Sequence, residues 1–405
     1  MEEKVILVGV DCGNGEDTES SLEELARLCE TAGAVPVARV IQKREYINPT
    51  SYVGKGKIEE IRDLLAETEA DGIVCDDELS PSQIGNLRDA LDTKIMDRTL
   101  VILDIFAKHA TTKEGKLQVE LAQLKYRSTR LRGFGTSLSR LGGGIGTRGP
   151  GEKKLETDRR LLQSRIHKLN REIEEIKEHR SITRSRREKN GMFVAAIVGY
   201  TNAGKSTLLN KLTDSDVLEQ DLLFATLDPT TRQLTLPSGQ KMLMTDTVGF
   251  IRKLPHNLID AFQSTLEEAK YADLIIHVAD ESNPEVELQM HVVYDTLRKL
   301  KVEGKPILTI FNKQDMVLSR EPLFDRMADK VIRVSAKEGT GVNELLAYLD
   351  ERRRNSMCYI ERNYSYSEAG KSQIIREHGE LIEEKYTEEG VLVKGYIAPE
   401  YINKL

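Results

Sequence analysis

Only four cysteines, Cys12, Cys29, Cys75 and Cys358, occur in 405 residues, and none has the close spacing of a metal-binding pair. That excludes a sequence-legible zinc site and a disulfide framework, and leaves buried or free thiols of a reducing compartment. No stretch approaches the roughly 18 consecutive apolar residues of a membrane span. The opening Met1-Glu2-Glu3-Lys4 lacks the charge and apolar segment of a secretory leader. The expectation is a cytoplasmic protein with no membrane span. A prior of about 150 residues per domain gives two or three domains.

Charge is present in quantity but unevenly placed. The chain carries a formal −7, yet residues 113–190 hold 21 Lys and Arg against 10 Asp and Glu, so this segment is +11 and the remainder −18. Local field, more than global charge, attracts a phosphate backbone, so this segment points to a polyanion partner.

Five short motifs between Gly199 and Lys337 carry the chemistry. Gly199-Tyr200-Thr201-Asn202-Ala203-Gly204-Lys205-Ser206 follows the apolar run Phe193 to Val198 and precedes Thr207-Leu208-Leu209-Asn210, a strand-loop-helix context. This is a P-loop: its N–H groups face phosphate oxygens, Lys205 adds charge at the β- and γ-phosphates, and Ser206 can bind Mg²⁺. Asp246-Thr247-Val248-Gly249 ends a second strand with a carboxylate for the metal and a glycine N–H for the γ-phosphate. Asn312-Lys313-Gln314-Asp315 ends the strand Ile307 to Phe311. The Asp315 carboxylate can accept from both N1–H and the exocyclic amine of guanine, a donor pair adenine lacks. Ser335-Ala336-Lys337 ends the strand Val331 to Val334, with the Ala336 N–H available to guanine O6.

Between the first two phosphate motifs, Leu223 to Arg232 should hold the loop whose threonine completes the Mg²⁺ shell. Thr230 is favoured, with Thr231 and Thr226 as competitors, and a local cap role is the ordinary alternative for each. Lys205, Thr230 and Gly249 are the catalytic candidates; Ser206, Thr230 and Asp246 are the metal candidates. Phe250 stands where Ras-like GTPases place the glutamine that orients the attacking water. Phenylalanine cannot do so, which predicts slow hydrolysis in isolation, with Phe250 packing the switch. Asn202 stands where a subset of related GTPases use an asparagine to help hold K⁺ beside the phosphates, set against a purely structural asparagine.

The organisation along the chain is α/β with four parts. Residues 1–110 alternate short apolar runs with amphipathic stretches, as in a small α/β domain with parallel strands. In it, Gly54-Lys55-Gly56-Lys57 reads as the basic start of a helix, and Asp76-Asp77-Glu78 as a solvated loop. In residues 111–190, Leu117, Leu121, Leu124 and Leu131, then Leu155, Leu162, Ile166, Leu169, Ile173 and Ile176, follow heptad steps. They predict a long antiparallel helical pair. Between the two runs lie Arg132-Gly133-Phe134-Gly135 and Arg140 to Gly151, read as a glycine-rich loop through which neither helix continues. Arg132, Arg140, Arg148, Lys153 and Lys154 can reach phosphates of folded RNA and Phe134 can stack on a base; a disordered linker is the alternative. Residues 191–355 form the P-loop GTPase (G) domain. Residues 356–405 read as a small α+β domain with an acidic helix over Ser372 to Tyr386, its surface suited to a protein partner.

With these residues in view, the chain resembles the HflX family of ribosome-associated GTPases. The resemblance rests on Tyr46-Ile47-Asn48-Pro49, Gly54-Lys55-Gly56-Lys57, Gln118-Val119-Glu120-Leu121-Ala122-Gln123-Leu124, the Gly142 to Lys154 loop, Leu223 to Arg232 and Asp246 to Phe250. It implies binding to the large ribosomal subunit, its rRNA and proteins, with the helical pair and its loop directed at the peptidyl-transferase centre; GTP and GDP are the ligands the motifs predict, and a monomer is the expected state. It also implies splitting of stalled or idle ribosomes under heat or other stress. A GTPase checkpoint in large-subunit assembly and a nucleotide-gated adaptor with little turnover are the competing functions.

Overall fold

The computed structural model describes residues 2–13, 15, 17–138, 150–189, 191–213, 223–224, 229–253, 267–317, 323–368 and 370–405. The chain divides into two compact units. One comprises Met1–Ile176 with Gln220–Asp228 and Ile251–Gln263; the other comprises Lys177–Glu219, Pro229–Phe250 and Ser264–Leu405.

The first unit is built on β1 (Glu3–Asp11), β2 (Ala34–Lys43), β3 (Gly72–Cys75) and β4 (Lys94–Asp97). All pair in parallel, in the order β2-β1-β3-β4. The run Val5 to Val10 is buried, as a strand covered on both faces requires. The intervening helices are α1 (Thr18–Ala32), α2 (Lys55–Thr68), α3 (Pro81–Leu91) and α4 (Arg98–His109). Their starts are sequence-encoded: Asp17 and Asp97 accept N-terminal amides of α1 and α4, and Ser80 forms a reciprocal capping box with Gln83 ahead of α3. Ile6, Val8 and Val10 share a core with Ile58 and Ile61 of α2 and with Ile84, Leu87 and Leu91 of α3. Gly54 caps α2, its N–H donating to Gln42 Oε1 at 2.8 Å.

The solvated-loop reading of Asp76-Asp77-Glu78 is corrected at Asp76, which is fully buried. Asp76 Oδ1 accepts from Arg98 Nη2 at 2.8 Å and Nε at 3.2 Å, while Oδ2 accepts from Ser21 Oγ at 2.7 Å and Lys253 Nζ at 2.5 Å. Arg98, itself 1% exposed, also donates to Glu24 Oε1 at 2.6 Å. Burial alone would raise the Asp76 carboxyl; the facing Arg98 and Lys253 cations and the hydrogen bonds from Lys253 and Ser21 hold it below its ordinary range. The sequence gives three acidic residues in a row, but Arg98 and Lys253 reach Asp76 only through the fold.

Helices α5 (Lys113–Leu138) and α6 (Pro150–Lys189) follow. Leu117 and Leu121 pack on Leu169 and Ile173, with Leu124, Ile166 and Ile176 beside them, and Glu120 takes a bidentate bond from Arg165 at 2.7 and 2.8 Å. The heptad seam therefore zips two helices running against each other. Arg132-Gly133-Phe134-Gly135 is not loop: α5 runs through it to Leu138. Each glycine costs a helix about 1 kcal/mol relative to alanine, a handicap that two positions late in a 26-residue helix do not turn into a break. Pro150 opens α6, where proline's missing N–H costs nothing, so Gly151, Lys153 and Lys154 are helical as well. Arg140 and Arg148 lie outside the described residues.

The second unit holds a six-stranded sheet in the order β10-β9-β8-β5-β7-β6. Its strands are β5 (Val194–Gly199), β6 (Thr230–Thr235), β7 (Lys241–Asp246), β8 (Leu274–Asp280), β9 (Ile307–Asn312) and β10 (Lys330–Arg333). Only β6 runs antiparallel. Helices α7 (Lys205–Thr213), α8 (Val286–Lys299) and α9 (Val342–Asn355) belong to this layer. Leu208 and Leu209 of α7 and Leu345 and Leu349 of α9 join Ile197, Met244, Ile276 and Ile310 in one core.

After α9 come β11 (Cys358–Tyr364), α10 (Lys371–His378), β12 (Gly379–Thr387) and β13 (Gly390–Ile397), a three-stranded antiparallel sheet in the order β11-β13-β12. The acidic helix predicted over Ser372 to Tyr386 is thus half wrong: it ends at His378, and Gly379 to Thr387 is a strand paired with β13. Glu380, Glu383, Glu384 and Lys385 suit a helix by propensity, but pairing decides. A Cβ at Gly379 would lie 2.1 Å from the Tyr396 carbonyl oxygen, so glycine permits the close strand approach where the helix stops.

Candidate functional site

The predicted motif residues of the second unit converge at the carboxyl ends of β5, β7, β9 and β10, where open parallel sheets bind ligands. The turn from Tyr200 to Gly204 links β5 to α7. Asn202 takes the left-handed conformation at φ 58°, which asparagine tolerates, and is exposed. Gly204 sits at φ 90°, and a Cβ there would lie 2.2 Å from Asn312 Nδ2. Thr207 lies in the first turn of α7.

Lys205 is 7% exposed and its Nζ donates to the Tyr200 carbonyl at 2.7 Å, curling back over the loop. Burial pushes the Lys205 ammonium down to about 8, opposed only by the charge of Asp246. A cation so desolvated gains strongly from an arriving polyphosphate.

Ser206 Oγ donates to Asp246 Oδ2 at 2.7 Å. Two hard oxygen donors in contact, one a buried carboxylate, fit Mg²⁺, which is usually held by one or two protein groups and the ligand's phosphates. Among the described residues no cluster of three or more His, Cys, Asp or Glu offers an all-protein cage instead. Thr230, the first residue of β6, pairs directly opposite Asp246. Thr231 Oγ1 is engaged with Thr245 Oγ1 at 2.9 Å, and because adjacent strand residues face opposite ways, Thr230 and Thr231 lie on opposite faces of the sheet. Thr226 lies outside the described residues.

Thr247 donates to the Ile197 carbonyl at 2.7 Å, and Val248 is buried. A Cβ on Gly249 would lie 2.9 Å from Thr201 Cα and Cγ2 and 3.0 Å from Lys205 Nζ, so this position has room for backbone only. Phe250 donates its N–H to the Gly199 carbonyl at 3.0 Å and accepts from Thr201 N–H at 2.8 Å. Its side chain is 1% exposed. Phe250 is therefore packed into the fold beside the loop.

At the base end, Asn312 is 2% exposed and acts as a strut: Nδ2 donates to the Ala203 carbonyl at 2.9 Å and Oδ1 accepts from Ala336 N–H at 3.0 Å. The Ala336 N–H, the expected donor to guanine O6, thus donates to Asn312 Oδ1 here. Ser335 Oγ donates to Asp315 Oδ1 at 2.6 Å, and this bond is the first cause holding the Asp315 carboxyl below its ordinary range. Asp315 stays ionised and exposed, as a double acceptor must be.

Sequence reading missed the residues behind this motif. Asp280, ending β8, pairs with Lys313 Nζ at 2.8 Å. Glu281, 3% exposed, receives the Gln314 side-chain amide and lies 3.4 Å from Arg333 Nε. A pair of carboxylates at a strand end beside a basic motif was the available signal. Of the basic candidates, Arg132, Phe134, Lys153 and Lys154 lie in α5 and α6.

Comparison with known proteins identifies the family. Residues 19–107 match the family described as GTP-binding GTPase N-terminal, 109–187 GTP-binding GTPase Middle Region, and 194–313 50S ribosome-binding GTPase. The GTPase HflX of Lacrimispora saccharolytica is 60% identical over 405 residues, covering 100% of this chain and 96% of that one. The GTPase HflX of Escherichia coli is 41% identical over 353 residues, covering 86% of this chain and 83% of that one. A GTP-binding protein of Sulfolobus solfataricus, solved in complex with GDP, is similar at 28% identity and a TM-score of 0.45, covering 87% of this chain and 99% of that one. A P-loop site with a guanine-type base motif, on a chain matched from end to end, places this protein in the HflX family of GTPases.

Proposed function

We propose that this GTPase is a translation factor that binds the large ribosomal subunit and splits stalled or idle ribosomes, notably under stress. The observation that carries the reading is a GTP-hydrolysing site in one chain with a paired helical segment of +11 charge. Such a segment is attracted to an RNA backbone and loses that attraction as salt rises. The match to a family described as 50S ribosome-binding GTPase supports the choice of RNA.

In the proposed cycle, P-loop amides and Lys205 hold the phosphates and Gly249 presents its N–H to the γ-phosphate. Ser206, Asp246 and Thr230 would hold Mg²⁺, which when bound neutralises developing phosphate charge. Asp315 reads guanine N1–H and the exocyclic amine, and the Ala336 N–H would serve O6. Asn202, exposed in the P-loop, would take K⁺; equal stimulation of hydrolysis by Na⁺ and K⁺ would remove that role. With Phe250 buried, hydrolysis is slow until the ribosome engages. GTP favours the docked state and hydrolysis releases it.

The test is GTP turnover by the full chain alone, with mature ribosomes and with large subunits, while sedimentation follows subunit dissociation. Strong stimulation with dissociation is expected. Binding confined to immature large particles would move the protein to assembly, and absence of stimulation by any particle would make it an adaptor.

A further inference from the structure

Hydrolysis needs a protein group that aligns the attacking water, and the position after Gly249 supplies none, because Phe250 is apolar and buried. The neighbouring P-loop residue offers one. Thr201 is 7% exposed, and its Oγ1 has no hydrogen-bond partner among the described residues. A buried hydroxyl left unsatisfied is costly, and such groups in folded proteins usually face a ligand, a water or a reacting centre. The backbone of Thr201 is fixed by its N–H bond to the Phe250 carbonyl. A Cβ added at Gly249 would meet Thr201 Cα and Cγ2 at 2.9 Å and Lys205 Nζ at 3.0 Å, so Thr201 borders both residues proposed to face the γ-phosphate.

We propose that Thr201 Oγ1 is the group that orients the attacking water, replacing the side chain absent at Phe250. The inference rests on the nucleotide site described above. The Thr201 hydroxyl accepts a hydrogen bond from the water and donates its own to a γ-phosphate oxygen. The water oxygen forms the new bond to phosphorus as the bond from phosphorus to the β,γ-bridging oxygen breaks, and the water proton passes to the phosphate product. Thr201 itself exchanges no proton. Phe250 then holds Thr201 in place through backbone bonds instead of contributing chemistry. A single hydroxyl of this kind is consistent with slow turnover in isolation.

The test compares Thr201→Val, which keeps shape and loses the hydroxyl, with Thr201→Ser, which keeps the hydroxyl. GDP affinity and single-turnover GTP hydrolysis are measured on the full chain with Mg²⁺ and K⁺. The expected result is a fall in the Thr201→Val rate on the order of 10²-fold, as for loss of one donor to a transition state. GDP affinity should change less than about threefold, under about 0.7 kcal/mol, and Thr201→Ser should keep most of the wild-type rate. Equal rates for the Val and Ser variants would overturn the proposal. A loss of GDP affinity matching the loss of rate in the Val variant would also overturn it, by showing a structural role. Wild-type protein that binds GDP without hydrolysing GTP would instead overturn the enzymatic reading on which it stands.

Discussion

Replacing Asn312 with alanine should damage both ends of the nucleotide site at once. The side chain satisfies the Ala203 carbonyl of the P-loop at 2.9 Å and the Ala336 amide of the base loop at 3.0 Å, in a setting only 2% exposed. Removing it leaves two buried backbone groups unpaired, at about 1–3 kcal/mol each, so about 2–6 kcal/mol is lost from the closed arrangement. If half of that, about 1–3 kcal/mol, falls on binding, GDP affinity drops about 5- to 140-fold at about 1.4 kcal/mol per decade. Asn312→Asp keeps the acceptor for Ala336 but sets a carboxylate against the Ala203 carbonyl, so it should weaken phosphate binding more than base recognition. Titration with a fluorescent GDP, with thermal unfolding in saturating GDP and in its absence, reads both terms. An Asn312→Ala protein that binds GDP within about threefold of wild type and melts at the wild-type temperature would refute the strut argument.

Three further outcomes follow from the structure. Because burial brings the Lys205 ammonium down to about 8, nucleotide-free protein should bind GDP progressively more weakly as pH rises above about 8, with proton uptake on binding; calorimetry in buffers of different ionisation enthalpy checks this. The Asp76 carboxyl, raised by burial but held low overall by Arg98 and Lys253, contributes stability present above the unfolded carboxylate value of about 3.9 and lost as pH falls through its lower folded value. Asp76→Asn should leave Arg98 poorly compensated and cost about 3–5 kcal/mol, seen as a lower first transition in urea at pH 7 but a smaller difference at acid pH. Glu281→Ala frees the Gln314 amide and should weaken GDP binding by less than Asp315→Ala, while Glu281→Gln restores most of it; equal losses in the Ala and Gln variants would show that the charge, not the hydrogen bond, matters.

The sequence alone determined the GTPase class, because the P-loop and base motifs are short, contiguous and tied to strand ends whose apolar runs are local signals. It also determined the seam of α5 and α6, since a heptad period is a property of one dimension. What it could not determine were pairings between distant segments. Gly379 to Thr387 reads as helix by composition and becomes strand because β13 lies beside it. Asp76 reads as solvated and is buried because Arg98 and Lys253 arrive from 22 and 177 residues away. The engagement of Ala336 by Asn312, the pairing of Thr230 opposite Asp246 and the unpartnered hydroxyl of Thr201 are likewise facts of tertiary structure. Each depends on which group a buried donor or acceptor meets, and that is fixed only when the strands have taken their places in the sheet.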